Sequence, residues 1–541
     1  MSKSVNGAVA TVAAKTVRDW LADGAEIAFF DIREEGEFGW GHPLLAGNLP
    51  YSRLEIDVER LVPRKDTRTV LIGADNNLPV IAAQRLAALG YSNLHIVSGG
   101  IEGWKVAGLK LFEGVYVPSK AFAEVVEHAY HTPDIQAVEL KKLIDSGADF
   151  VVLDSRTEEE FARFHVPGAI SVPGAELVHR VADIVTSPDK LVIVSCAGRT
   201  RGIMGAQSLI NAGIPNTVRV LSGGTQGWRL AKLDVETGER FSKAPSAAGR
   251  KTAQKWADEL AATHGVGRIS SDTLAKWRND TARTTYAIDV RTQAEYAKGH
   301  LAGTTHVPGA QLLQATDTFI PVHRARVVLV DDDGVRATVT AHWLKQLGWD
   351  VHVLDNALEG ATLVGGADET RKIWQPEAQK LAPKAAQEWF GASGRIVSVA
   401  SGNEHRKSRP SGAVWSIRPH LLKAVGDLKH GARILVIGEE DAVAALAAHD
   451  LREAGFEPAV VSGGIAAWKA AGLPWDDAPS SSPSDAERID FLTWNYDRHL
   501  GNATASRAYL DWELDLPRQI QEDGTAYYKI KVPEKALAET H

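Results

Sequence analysis

The 541-residue sequence contains a single cysteine, Cys196. One thiol can form neither an internal disulfide nor a cysteine-cluster zinc or iron–sulfur site. No uninterrupted apolar run approaches the roughly 20 residues of a membrane span. The short apolar stretch Gly7 to Ala14 runs directly into Lys15, Arg18 and Asp19, which is not the pattern of a signal peptide. There is no basic excess either: 60 Lys and Arg stand against 68 Asp and Glu, a formal charge of −8. That balance argues against a nucleic-acid or membrane-surface partner. The 18 histidines include no HExxH or other paired spacing, so no metal is expected. Ser195 lacks the Gly-x-Ser-x-Gly setting of a serine hydrolase. These absences point to a soluble, cytoplasmic protein.

What the sequence does contain is repetition. Apolar residues are 44% and charged residues 24%, an ordinary globular balance, and the length suggests three to four domains. Three apolar runs end in Asp-x-Arg: Phe29–Arg33, Val151–Arg156 and Tyr286–Arg291. Each is followed by a Glu-containing stretch and a His- or Pro-Gly-containing turn. About 40 residues after each Asp comes a second apolar run, then a helical pattern ending at Gly90, Gly213 or Gly348. A third run leads into SGGIEGW (Ser98–Trp104), SGGTQGW (Ser222–Trp228) or the eroded DNALEGA (Asp355–Ala361). In a fourth copy Ser398 replaces the Asp, and ILVIG, a helix to Gly455 and SGGIAAW (Ser462–Trp468) follow in register. Short continuous apolar strands alternating with helices predict an α/β fold of parallel sheets flanked by helices. The expected units are residues 9–118, 132–240, 265–365 and 385–476, with a helical tail at 487–541 packed across the repeats. The connectors 241–266 and 366–390 both read as turns leading into helices, and 477–486 as a Pro/Ser linker.

Cys196 ends a predicted buried strand and opens the loop Cys196-Ala197-Gly198-Arg199-Thr200-Arg201-Gly202 before a helix. In parallel sheets, ligands gather at this carboxyl edge. A helix N-terminus, two glycines that let the backbone close in, and two nearby arginines all favour thiolate over thiol. Together with the Asp-x-Arg turn, the His165-Val-Pro-Gly-Ala169 motif and SGGTQGW, the loop resembles that of rhodanese, the thiosulfate sulfurtransferase family. The resemblance covers most of residues 10–475 as four tandem units and is strongest over 132–235.

The resemblance implies a persulfide mechanism in which Cys196 takes a sulfane sulfur from a small-molecule donor and passes it to cyanide or a thiol, a protein thiol included, with no organic cofactor needed because the sulfur rides on the protein. Ala197, Gly198, Arg199, Thr200, Arg201, Gly202 and Arg156 are then the candidate substrate-binding residues. Asp154 belongs to a structural salt bridge, and His165 caps a turn. A phosphatase-type loop has five residues between Cys and Arg; here Arg201 comes one residue too early. Counting back from the helix-ending glycines, Gly73, Asp331 and Gly438 take the place of Cys196, so these three units are expected to be inactive. The alternative reading is a sulfur-relay or persulfide-sensing partner protein loaded by another enzyme.

Overall fold

The computed structural model describes residues 9–366, 376–391, 394–498 and 501–532. Each apolar run becomes a strand that is buried along most of its length, because helices cover both faces. In the second copy the strands lie in the order Asp134–Ile135, Val218–Leu221, Leu191–Ser195, Phe150–Asp154, Ile170–Ser171, all parallel. Numbered along the chain, that is 1-5-4-2-3. The other three copies repeat the order around Ile27–Asp31, Thr285–Asp289 and Arg395–Ser398.

The outer members of each sheet were not visible as apolar runs. Gly47–Asn48, Ile170–Ser171, Thr305–His306 and Val414–Trp415 are two residues long. The fourth sheet also recruits Lys380–Leu381, ahead of the expected start at 385. Of the two connectors, the first forms the helix Ala247–His264, N-capped by Ser246. The second lies partly outside the described residues, and its described end forms the helix Pro383–Phe390.

The copies group into two compact units. One holds copies one and four (residues 1–20, 27–115 and 372–493). Inside it the buried Arg418 guanidinium donates to Glu55 and Asp450, and Arg85 donates to Asp450 and Glu453. The other holds copies two and three and the tail (residues 21–26, 116–371 and 494–541). Within it the long helix Ala503–Asp523 packs on Val117–Tyr130, with Lys120 Nζ over the rings of Tyr509 and Trp512. No helix among the described residues is long and apolar enough to cross a membrane.

Candidate active site

The site is built from the sheet edge outward. Asp154 pairs in register with Ser195, so Cys196 is the first residue beyond the strand Leu191–Ser195. The same register sets Asp31 against Ile72, Asp289 against Val330 and Ser398 against Ile437. Gly73, Asp331 and Gly438 therefore occupy the position of Cys196 in the other sheets. The helix Thr200–Asn211 starts four residues on and approaches so closely that a Cβ on Gly202 would lie 3.2 Å from the sulfur.

The SGG turn braces the loop. Gly223 and Gly224 take φ of 68° and 53°, and a Cβ on Gly224 would strike the Cys196 carbonyl at 2.3 Å. From this turn, Thr225 N–H donates to Cys196 O at 2.8 Å and Gln226 N–H to Ala197 O at 3.0 Å. Buried Trp228 closes the element by donating to Asp234 O.

Both arginines of the loop are held by carboxylates. Arg199 donates to Glu124 at 2.8 Å and also to Glu127, both on the helix Val117–Tyr130. Arg201 donates to both oxygens of Glu160 at 2.6 and 2.8 Å. Burial would raise the Glu160 carboxyl, yet Arg201 holds it down to about 2. Thr200 Oγ1 donates to Glu513 of the tail helix at 3.2 Å. Arg156 donates to Asp154 at 2.8 Å and to Phe164 O at 2.7 Å, forming a buried pair repeated by Arg33–Asp31 and Arg291–Asp289. His165 stacks on Phe161 at 3.8 Å, and its Nδ1 bonds the Phe161 carbonyl.

The sulfur is buried, with Cys196 2% exposed. Its S–H donates to Arg199 O at 3.7 Å. The sequence favoured a thiolate, and the structure reverses that expectation. Burial pushes the thiol up to about 11; Arg201 and the Gly202 N–H pull it down, while Glu513 and Asp154 push it further up. The physical reason is the burial of the sulfur, which the pull of Arg201 offsets only in part. An apolar cavity lined by Phe122, Met204, Leu313 and Val339 reaches Thr200 and Arg201 but not Cys196.

Glu124, Glu127, Gln226, Tyr509 and Glu513 are site residues that the sequence did not single out. Glu160 was within reach, since Thr157-x-x-Glu160 forms a capping box that recurs as Thr292-x-x-Glu295.

A model of the Rhodanese-like domain matches residues 13–107, 136–231 and 270–362, more than half of the chain. The chain belongs to the rhodanese-like family. Among solved structures it is similar to a thiosulfate sulfurtransferase from Pseudomonas aeruginosa, at 42% identity and a TM-score of 0.92, over 97% of this chain and 100% of that one. It is 27% identical to the 3-mercaptopyruvate sulfurtransferase of Escherichia coli K12 over 277 residues, 40% of this chain and 96% of that protein. A stretch of 104 residues, 19% of the chain, is 32% identical to an HTH-type transcriptional regulator of Mycobacterium tuberculosis and covers 45% of it. The chain thus spans about half the length of the first curated relatives it matches, 51% and 45%. The fourth sheet lies outside the matched residues and has the same strand order as the other three.

Proposed function

We propose that this rhodanese-like protein is a sulfurtransferase that moves a sulfane sulfur from thiosulfate, or a similar donor, through a Cys196 persulfide to cyanide or a thiol. One observation carries the reading: of four register-equivalent positions beyond a central strand, Cys196 alone bears a thiol, and the Gly202 N–H faces its sulfur. The thiosulfate sulfurtransferase resemblance over nearly the whole chain supports the donor.

The Cys196 thiolate attacks the outer sulfur of thiosulfate. The S–S bond of the donor breaks, and sulfite leaves with the bonding pair. An acceptor then attacks the outer persulfide sulfur, and the electron pair of that bond returns to Cys196. Because the resting thiol is raised, the proton must leave before loading, and Arg201 and the Gly202 N–H stabilise the anion so formed. The loop amides, fixed from behind by the SGG turn, hold the persulfide. Arg199 and Arg201 act here as clamps on Glu124, Glu127 and Glu160 more than as free anion binders.

Intact-mass measurement after thiosulfate treatment tests the proposal. One added sulfur on the wild type and none on Cys196→Ser is expected, and an unmodified wild type would refute it. The relay reading draws on the burial of Cys196. It is separated by turnover: sustained thiocyanate release from thiosulfate and cyanide marks the enzyme, and loading without turnover marks the relay.

A further inference from the structure

The tail helix brings a carboxylate to the Cys196 loop. Glu513 is 1% exposed; its Oε1 accepts from Tyr509 Oη at 2.9 Å and from Thr200 Oγ1 at 3.2 Å. Its other oxygen, Oε2, is buried with no hydrogen-bond partner among the described residues. Gln226 is 7% exposed, and neither its Oε1 nor its Nε2 has a partner among the described residues. These atoms converge on one point of the loop. A Cβ built on Gly198 would lie 3.2 Å from Glu513 Oε2, 3.4 Å from Gln226 Nε2 and 3.6 Å from the Tyr509 ring.

Buried polar atoms are costly to leave unpaired, so three of them beside the loop that carries the sulfur point to a ligand. The nearby cations have other hydrogen-bond and ring partners, and Arg199 and Lys120 act on Glu513 only through space. Arg199 is held by Glu124 and Glu127, Arg201 by Glu160, Lys120 lies over the Tyr509 and Trp512 rings, and Arg498 lies over the Tyr509 ring. An acceptor that can donate hydrogen bonds and carry positive charge satisfies Glu513; an anionic one opposes it.

We propose that Glu513, assisted by Gln226, selects the sulfur acceptor, and that this acceptor is a small thiol bearing an ammonium group. The inference rests on the sulfurtransferase reading and names the acceptor class. In the transfer, the acceptor thiolate attacks the outer sulfur of the Cys196 persulfide, the S–S bond breaks, and Cys196 leaves as thiolate. The ammonium group donates to Glu513 Oε2, and the Gln226 amide takes the remaining polar contact. A matched charge-assisted contact gives about tenfold to a hundredfold in rate.

The test loads Cys196 with inorganic polysulfide and follows loss of the added sulfur by intact mass. Cysteamine, 2-mercaptoethanol and mercaptoacetate are compared per thiolate present. The wild type is expected to discharge to cysteamine at least about tenfold faster than to 2-mercaptoethanol, with mercaptoacetate slowest. Glu513→Gln should bring the three within about threefold of one another. Equal wild-type rates overturn the proposal without need of the variant, and so does a charge order that persists in Glu513→Gln. If Cys196 takes up no sulfur from polysulfide or thiosulfate, the sulfurtransferase reading itself fails, and that outcome is distinct from either of the others.

Discussion

The loops that begin at Cys196 and at Asp331 occupy the same place in two sheets of one unit, and they have been put to different uses. Both carry an arginine five residues on, Arg201 and Arg336, and each arginine clamps the capping-box glutamate of its own copy, Glu160 or Glu295. The clamp is therefore shared by copies two and three and is not by itself a mark of the reaction, while Leu78 and Val443 stand in its place in copies one and four. What differs is the rest of the loop. Asp331 turns back to accept from the Gly334 and Ala337 amides. Asp333 takes His179 Nε2 at 2.8 Å, and Arg336 reaches Glu176 of copy two at 3.2 Å. The acidic residues that replaced the sulfur site have become the contact that docks copy three onto copy two.

The largest test of that contrast is the thiol itself. Cys196→Ser should abolish sulfur loading and turnover while the unfolding transition stays in place. Asp331→Cys in that background should not restore them, because its loop keeps Asp332 and Asp333. Measurable thiocyanate formation by the double variant would erase the distinction between the two loops.

Next come the paired arginines. Arg336 is fully buried among Glu176, Glu295 and Asp332. Arg336→Ala should cost about 3–5 kcal/mol in urea unfolding, and loss of sulfur transfer should follow unfolding only. Arg201→Ala should lower kcat/KM about tenfold or more with a smaller stability loss, because it leaves one carboxylate without its partner where Arg336→Ala leaves three. Equal stability losses and no kinetic difference would mean that the two clamps are interchangeable.

A subtler readout is the pH dependence of alkylation. With the thiol raised to about 11, iodoacetamide labelling of Cys196 should climb through pH 9 to 10, about tenfold per unit. A plateau below pH 8 would contradict the buried-thiol account. Glu513→Gln should shift the curve to lower pH, since Glu513 opposes the thiolate. The linkage sign follows: the folded state keeps a proton that an unfolded cysteine loses near 8.5, so stability falls as pH rises above about 8.5.

The smallest effect belongs to His179. Although burial lowers it, Asp333 and Glu176 raise it overall. The stabilisation is complete below the ordinary imidazole value of about 6.5 and is lost as pH rises through the raised one. His179→Asn should flatten that dependence by about 1 kcal/mol; an unchanged stability–pH profile would remove His179 from the docking contact.

Much of this molecule was legible because the repeats carry physical necessities. Buried apolar runs recur in all four copies, the αL glycines of the SGG turns in copies one, two and four, and the Asp-x-Arg pairs in copies one, two and three. The two-residue edge strands were not legible, since so short a segment has no period to read. The thiol was misjudged because charge counted along a sequence says nothing of how deeply the sulfur is buried, and burial outweighs the pull of Arg201. Arg336 was visible, yet the acidic residues around it hid its match to Arg201. Glu513 was beyond reach, since nothing local ties a tail helix to a loop more than 300 residues earlier.

The solitude of Cys196 has a redox consequence. Oxidation to a sulfenic acid is normally rescued when a neighbouring thiol condenses with it. No second cysteine exists in this sequence to serve as that resolving partner. A sulfenate here can be recovered only by a thiol arriving from outside, and otherwise it advances to the irreversible sulfinic and sulfonic acids. Burial under the tail helix thus slows the attack of peroxide and also the arrival of the rescuing thiol.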